Sequence, residues 1–177
     1  MPKFFINSNQ IENENIIIIG EDVNHIKNVL RMKIGEEIQV CNIDKQENYI
    51  AKLNLIEKQK IYCEIIKKIE SEAESNINLT IFQGIPKSDK MELIIQKSTE
   101  LGVKKIFPVE MERCVSKISG KDEKKKIERW QKIAEVAAKQ SGRDIIPKIE
   151  NVIKIKNICE IAKTFDLLIV PYEKAED

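Results

Sequence analysis

The hydrophobic pattern of the sequence changes once, at the polar stretch SEAESN, residues 71–76. Before this stretch, short apolar runs are separated by turn residues, a pattern that is typical of β-strands. After it, short aliphatic runs alternate with longer segments whose apolar residues recur at helical spacing. Strands that alternate with helices through short connections form parallel sheets covered on both faces. The polar stretch is therefore interpreted as a linker between a first domain, residues 1–70, and an α/β domain, residues 77–177.

The first domain is predicted to be a small β-barrel with one short helix. Its predicted strands are residues 3–6, 15–19, 37–41, 49–56 and 61–69. The helix is predicted from EDVNHIKNVLRMKIGEE, where Val23, Ile26, Val29 and Leu30 recur at helical spacing behind two acidic residues. Many short strands with a lone helix favour a barrel.

The α/β domain is predicted to contain four strands and three helices. The strands are residues 77–82, 105–109, 145–149 and 167–170, and the helices are residues 89–101, 122–140 and 156–165. The first helix has Asp89 as its cap, Glu92 to complete a capping box and Gly102 as a left-handed exit. Its expected buried stripe is Met91, Ile94, Ile95, Ser98 and Leu101. Because a parallel sheet that finishes on a buried strand usually continues, the sequence is expected to be part of a longer protein.

Charge and cysteine content limit the classes of function. With 30 Lys and Arg against 29 Asp and Glu, the net charge is +1, so the chain as a whole does not attract nucleic acid. The basic excess is local, between Lys104 and Lys148. The cysteines are widely spaced and form no C-x-x-C pair, which favours reduced thiols in the cytoplasm. The chain has one histidine, too few for a typical zinc site. The longest aliphatic run, residues 16–19, is too short to span a membrane, and no signal-peptide pattern is present.

The stretch QGIPKSDKMELIIQKSTELGV, residues 83–103, joins the first α/β strand to its helix. The connection lies at the carboxyl end of a parallel strand, where α/β sheets place their ligands. A Gly-Pro turn at this point is, by itself, more often a plain connection.

The same stretch resembles the RsmE-type methyltransferases, which methylate uridine at N3 in the 16S RNA of the small ribosomal subunit. Three further stretches agree in order and spacing: HIKNVLRMKIGEEIQV, ERCVSK and RWQKIAEVAAKQSGR. The resemblance implies an N-terminal PUA-like β-barrel that helps to grip RNA. It also implies a SPOUT α/β domain whose trefoil knot holds S-adenosylmethionine and which forms a homodimer. The barrel and α/β division predicted from the patterning fits this plan.

One part of the family pattern is absent from these 177 residues. The family's cofactor segments, a Gly-Pro-Glu-Gly-Gly loop and a later Leu-Gly segment with Arg and Glu-Thr, would follow Tyr172. We therefore expect a SPOUT domain that lacks its C-terminal knot segment. This chain alone is expected to be inactive and not to bind S-adenosylmethionine tightly. Tyr172 and Glu173 lie where the cofactor pocket would begin, and they are weak candidates for cofactor binding.

The reaction that the resemblance implies requires the uracil N3 proton to leave and the base to be held in line with a methyl group. A guanidinium is a permanently charged, planar donor and suits this role. Arg113, in the loop after the second α/β strand, is the candidate that orients the substrate. Gln83 and Lys87 are expected at the same sheet edge and complete the catalytic candidates. From pattern alone, Arg113 is equally well explained as a surface residue.

Candidates for RNA binding lie in both domains. Arg31 and Lys33 follow the barrel helix and are candidates for phosphate contacts, with His25 on the same segment. Packing of the barrel helix is the stronger explanation for His25. Gln140 and Arg143 end the long helix, where a cation also stabilises the helix dipole. Arg143 is expected at the opposite sheet edge from Gln83, so a functional role there implies RNA or a partner subunit.

Two other classes of function remain open at this point. The chain is alternatively a non-catalytic module that binds ribosomal RNA. A nucleotide-binding protein is a weaker alternative, because no G-x-G-x-x-G motif or P-loop follows any predicted strand.

Overall fold

The computed structural model describes residues 1–70, 73–87, 90–111 and 120–171. Its first sheet has six strands: β1 (Lys3–Ile6), β2 (Ile11–Glu12), β3 (Asn15–Ile19), β4 (Glu37–Asn42), β5 (Glu47–Ile56) and β6 (Lys60–Ile69). The strand order is β1-β4-β5-β6-β3-β2, with β1 and β4 parallel and the other pairs antiparallel. The five predicted strands are confirmed, and the two-residue β2 was missed.

The six-stranded sheet curls around one apolar core. Irregular pairing between β5 and β6, at Ile50/Ala51 and at Leu53/Leu55, adds the local twist that lets a sheet curve. Alternate residues of each strand point inward, as Ile16 and Ile18 do on β3. The core consists of Phe4, Ile6, Ile16, Ile18, Val23, Ile26, Ile38, Val40, Ala51, Leu53, Ile61 and Cys63.

The helix of the first domain is shorter and wider than its sequence pattern predicted. α1 (Glu21–Asn24) continues directly into a π-helical turn, His25–Val29, in which the Leu30 N–H donates to the His25 carbonyl at 2.8 Å. Of the four apolar residues at helical spacing, Val23 and Ile26 are buried. Val29 and Leu30 are 61% and 40% exposed, because the wider turn rotates them away from the core.

The second sheet is parallel throughout. It is formed by β7 (Thr80–Gly84), β8 (Lys105–Glu110), β9 (Lys148–Ile149) and β10 (Ile153–Lys154). Its helices are α2 (Lys90–Glu100), α3 (Lys121–Ser141) and α4 (Ile155–Ala162). β8 is central: β7 pairs with one side, and β9 and β10 pair in turn with the other. The interruption between β9 and β10 lies beside Pro108, which has no N–H to donate.

The two faces of the parallel sheet differ. Ile81, Ile106 and Ile149 share one face and pack in a single cluster with α2 and α3 residues such as Ile95 and Trp130. The apolar residues of α3 that pack on this face include Trp130 and Ala134.

The opposite face of the parallel sheet carries Phe82 and Phe107, stacked at 5.0 Å. Phe165, just after α4, meets the Phe82 ring edge-on at 5.9 Å. Both strand rings are half-buried, so this face is covered more thinly than the predicted two-sided layer.

Several predictions for the α/β domain were wrong in detail. The first strand starts at Thr80, not at residue 77, and the third spans only Lys148–Ile149. Residues 167–170 form no strand and are exposed, Leu167 to 73%, because no neighbouring strand in the described ranges pairs with them. Leu101 is exposed because the chain turns out of α2 at Gly102, whose φ is +88° as the predicted exit requires. The predicted cap, Asp89, lies outside the described residues.

The two sheets are joined by a buried contact. Lys3 on β1 forms an ion pair with Asp144, which follows α3, and each side chain is only 4% exposed. The Lys3 ammonium also donates to the Gly142 carbonyl at 3.0 Å. The Cys41 thiol donates to the Asp144 carbonyl at 3.4 Å. Because these groups are shielded from water, the contact fixes the first sheet against the carboxyl end of α3.

Two ion pairs extend this junction along α3. Glu21 meets Lys132 at 2.8 Å, and Asp22 meets Lys139 at 2.8 Å. The hydrogen bond from Lys132 lowers the pKa of Glu21, and the same bond raises the pKa of Lys132. The Glu21 side chain is largely exposed, so this pair orients α1 and contributes little to stability.

The linker is hydrogen-bonded to the α/β domain. The Ala73 carbonyl accepts a hydrogen bond from Arg143. The Glu74 carboxylate accepts from the backbone N–H groups of Asp144 and Ile145 at 2.8 and 3.2 Å. In the described ranges, no helix is long and apolar enough to cross a membrane.

Candidate functional site

The carboxyl edge of the parallel sheet brings together two connections. β7 ends at Gly84, and the next N–H, that of Ile85, donates to the Val109 carbonyl of β8 at 3.0 Å. A Cβ atom on Gly84 would lie 3.2 Å from Cγ of Met111, the residue that begins the connection after β8. A side chain at position 84 would therefore require the Met111 side chain to shift by a few tenths of an ångström. The predicted meeting of these loops at one sheet edge holds for the part that is described.

Of the candidates for catalysis and cofactor binding, the structure describes only Gln83 and Lys87. Gln83 is half-buried, and its side-chain N–H donates to the Gly84 carbonyl at 2.8 Å, which holds the amide against the backbone. Lys87 is exposed three residues beyond Gly84. Arg113, Tyr172 and Glu173 lie outside the described residues. The roles predicted for all five therefore remain predictions.

The barrel candidates lie on the turn that follows the π-helical segment. Arg31 and Lys33 are both exposed, and Arg31 has a φ of +54°, unusual for a residue with a side chain. The Met32 N–H donates to the Ile26 carbonyl at 3.0 Å and closes the turn around Arg31. The His25 ring is exposed and meets the Phe4 ring edge-on at 6.1 Å. RNA binding by His25, Arg31 and Lys33 remains a prediction.

A polar groove lies between the helical segment, α1 with its π-helical turn, and the turn that joins β5 to β6. It has a volume of about 400 Å³. Its lining residues are Gly20, Val23, Asn24, Lys27, Asn28, Lys58 and Gln59. β3 and β6 pair with Ile19 opposite Lys60, so the end of β3 lies beside the turn between β5 and β6. The sequence did not predict this groove, because its two lysines are far apart along the chain and no local pattern joins them.

Arg143 makes three hydrogen bonds to backbone carbonyls. Its guanidinium donates twice to the Glu100 carbonyl, at 3.0 and 2.7 Å, and once to Ala73. It lies against Gly102, where a Cβ would be 3.0 Å from the guanidinium. Arg143 therefore ends α2 and anchors the linker at the amino edge of the sheet, opposite Gln83 as expected. Its contacts account for it structurally, and RNA binding by it remains a prediction.

Gln140 lies elsewhere, on the outer surface between α2 and α3. It is exposed and lines a mostly apolar groove of about 310 Å³. The structure does not bring Gln140 and Arg143 to a common site with the barrel candidates.

The two buried cysteines, Cys41 and Cys63, are poor nucleophiles. Burial raises the pKa of the Cys41 thiol to about 11 and that of Cys63 to about 12. Thiols with such values stay protonated at neutral pH and do not attack substrates. Within the described ranges, no group of three or more His, Cys, Asp or Glu residues is arranged to hold a metal ion. Any chemistry of this site is therefore assigned to other groups.

Two family models match the chain. One, described as an RNA methyltransferase PUA domain, matches residues 18–66, and the other, described as an RNA methyltransferase domain, matches residues 73–177. Their division coincides with the change of fold between the two sheets.

Characterised relatives match over nearly the whole chain. Ribosomal RNA small subunit methyltransferase E of Bacillus subtilis is 39% identical over 180 residues, which is 99% of this chain and 69% of the relative. The protein of the same name from Mesomycoplasma hyopneumoniae is 35% identical over 178 residues, covering 100% of this chain and 74% of the relative.

A solved structure has the same fold. It is a ribosomal RNA small subunit methyltransferase E from Neisseria gonorrhoeae, bound to S-adenosyl methionine. The TM-score is 0.76 and the identity 34%, over 87% of this chain and 63% of that one.

Proposed function

Because the chain belongs to the RsmE family of RNA methyltransferases, we propose that the protein methylates N3 of a uridine in the 16S RNA of the small ribosomal subunit, with S-adenosylmethionine as methyl donor. The observation that carries the proposal is the 39% identity to a relative of that name over 99% of the chain. The fold agrees with the proposal, because the segment that matches an RNA methyltransferase PUA domain precedes a parallel sheet, and such sheets bind ligands at their carboxyl edge.

The described part of the sheet edge fits one side of a cofactor site. Gly84 and Met111 bring the two connections close together, and the Gln83 amide is held against the Gly84 carbonyl. S-adenosylmethionine bound at this edge would supply an electrophilic methyl group on a positively charged sulfur. The residues of the sheet edge would hold the uracil so that its N3 faces that methyl group.

The reaction places two demands on the protein. The N3 proton must leave, and the negative charge that spreads over N3 and its two flanking carbonyl oxygens must be stabilised. Arg113 and Lys87 are the cations that we assign to this stabilisation. The Gln83 Oε1 atom is the acceptor that we assign to holding the imide edge of the base. With the N3 proton released to solvent, the N3 electron pair would be free to bond the methyl carbon of the donor, whose sulfur would keep the electrons of the broken bond.

The remaining assignments concern partners and location. Arg31 and Lys33 on the barrel are assigned to RNA phosphates. We also infer that the protein acts as a homodimer in the cytoplasm, which sedimentation equilibrium and cell fractionation test directly. A monomer at micromolar concentration would contradict the first inference.

The test of the function is methyl transfer by the protein expressed from its full reading frame. The substrate is small-subunit particles that lack the N3 methyl group, and the product is 3-methyluridine, measured by mass spectrometry of the digested RNA. We expect one methyl group per particle. RNA binding without any methyl transfer would instead support the non-catalytic RNA-binding module.

Arg113→Ala tests the assigned roles within the site. We expect the methyl-transfer rate to fall by about 100-fold or more, because one preorganised charge is removed from the transition state. Binding of S-adenosylmethionine, measured by calorimetry, should change far less. Arg129→Ala is the matched control, because Arg129 lies on an exposed part of α3 and pairs with Glu92 at 2.8 Å. Equal losses of transfer and of cofactor binding would remove Arg113 from the substrate role.

A further inference from the structure

Resting on the proposed function, we propose that the polar groove of the barrel binds one unpaired nucleotide of the RNA substrate, away from the nucleotide that is methylated. The groove is the one lined by α1, the π-helical turn and the β5–β6 turn. Its volume of about 400 Å³ is within the range of pockets that hold small organic groups.

The charge of the groove is suited to a phosphate. Lys27 is half-buried and its ammonium donates to the Glu57 carbonyl at 2.8 Å, which holds it at the rim. Lys58 is exposed on the facing turn. Among the described residues that line the groove, none is acidic.

The nearest carboxylates on α1 are engaged elsewhere. Glu21 pairs with Lys132 and Asp22 with Lys139, so each of these carboxylates has a lysine of α3 beside it. The groove presents Lys27 and Lys58, while the carboxyl groups of Glu21, Asp22 and Glu57 lie outside its lining. A site of this kind attracts phosphate groups.

Two asparagines give the groove a means of holding a base edge. The Asn28 amide donates to the Asn24 side-chain oxygen at 2.6 Å. This bond occupies the Asn28 amide and the Asn24 oxygen, so within the described ranges the Asn24 amide nitrogen can donate to a ligand and the Asn28 oxygen can accept from one. A donor and an acceptor on two bonded side chains suit the hydrogen-bonding edge of an unpaired base, which a duplex hides.

The position of the groove favours RNA over a free nucleotide. α1 is tied to α3 at Lys132, eleven residues from the start of α3 near the carboxyl edge of the parallel sheet. At the helical rise this is a distance of roughly 16 Å along α3. A single RNA strand can therefore occupy the groove and reach the sheet edge at the same time. A free nucleotide would gain nothing from this arrangement.

The test measures binding of a fluorescent single-stranded RNA to the intact chain by anisotropy, from about 50 to about 200 mM salt. Lys58→Ala should weaken binding and reduce the slope of log affinity against log salt by about 0.7, the value for one phosphate contact on a single strand. Asn24→Ala combined with Asn28→Ala should weaken binding about 5- to 10-fold with the slope unchanged, because it removes a base contact. The same RNA as a duplex should bind more weakly and should not distinguish the asparagine variant from wild type.

Lys45→Ala is the matched control. Lys45 is an exposed lysine in the β4–β5 turn, at the opposite end of β5 from Lys58. All of the substituted side chains are exposed, and circular dichroism confirms that each variant is folded. Groove variants that bind RNA as tightly as Lys45→Ala overturn the proposal, and so does full competition by uridine monophosphate at the concentration of the RNA. If either result is obtained and the wild-type protein still methylates the particles, only the groove assignment fails. A wild-type protein that neither binds RNA nor transfers methyl groups contradicts the proposed function itself.

Discussion

The substitution Arg31→Gly is expected to make the protein more stable and a weaker RNA binder at the same time. Arg31 has a φ of +54°, and the Met32 N–H that follows it donates to the Ile26 carbonyl. The bond reaches back six residues, one more than the bond of the Schellman motif that ends many helices, and glycine is the usual residue at such a left-handed position. The substitution therefore separates the cost of the backbone conformation from any role of the arginine side chain.

The size of the effect follows from two opposing terms. A left-handed conformation costs a residue with a Cβ about 1 to 2 kcal/mol. Glycine avoids this cost but loses more backbone entropy on folding, about 0.5 to 1 kcal/mol. The unfolding free energy of Arg31→Gly should therefore rise by about 0.5 to 1 kcal/mol, or about 1 to 4 °C in Tm for a chain of this length.

Urea unfolding followed by circular dichroism measures the stability, and anisotropy with single-stranded RNA measures the affinity. Arg31→Ala is the control, because alanine loses the guanidinium but keeps the cost of the left-handed backbone. Both variants should lose the same RNA affinity, with a salt slope reduced by about 0.7, and only the glycine variant should gain stability. Equal stability of the two variants would refute the backbone argument. Full RNA affinity in both would refute the phosphate role of Arg31.

Three further predictions concern the junction, the sheet edge and the core. Lys3→Met leaves Asp144 buried without its ammonium partner and should cost about 3 to 5 kcal/mol of unfolding free energy in urea, which the added change Asp144→Leu should largely restore. Gly102→Ala should be more destabilising than Gly142→Ala by about 1 kcal/mol or more. Both positions have positive φ, +88° and +72°, but only at Gly102 does a Cβ press on a neighbouring guanidinium. The buried Cys63 thiol, with its pKa raised to about 12, contributes stability that is fully present below pH 9 and is lost as the pH rises towards 12. Denaturation at pH 8 and pH 11 should therefore show a loss of about 2 to 3 kcal/mol that Cys63→Ala reduces.

Local patterns predicted most of the barrel because its strands are short apolar runs bounded by turn residues, and several alternate buried and exposed positions over part of their length. Ile16 and Ile18 are buried on β3, as are Ile38 and Val40 on β4. The failures occurred where local pattern and tertiary position disagree. Val29 and Leu30 have helical spacing, but the π-helical turn, which the spacing does not predict, directs them to solvent. Residues 167–170 have a strand composition, but a strand also requires a neighbour to pair with.

The sequence predicted the sheet edge because its residues follow one another along the chain, whereas the residues of the groove come from distant segments. Gln83 and Gly84 stand in sequence directly after an aliphatic run, so parallel-sheet geometry alone places them at the carboxyl edge. The groove depends on the register between β3 and β6, which sets Gly20 beside Gln59. Register is fixed by pairing between distant segments, and no local pattern gives it.

The junction between the two sheets fixes the distance from the groove to the sheet edge. A grip on RNA assists methyl transfer only if its distance from the reacting nucleotide is fixed, because a mobile grip raises affinity without orienting the base. The buried Lys3–Asp144 pair and the linker bonds of Arg143 and Glu74 hold the barrel at one place on α3. The barrel thus holds bound RNA at a fixed distance from the sheet edge. Because Lys3→Met weakens the contact between the barrel and α3, it should reduce the rate of methyl transfer more than the affinity for RNA.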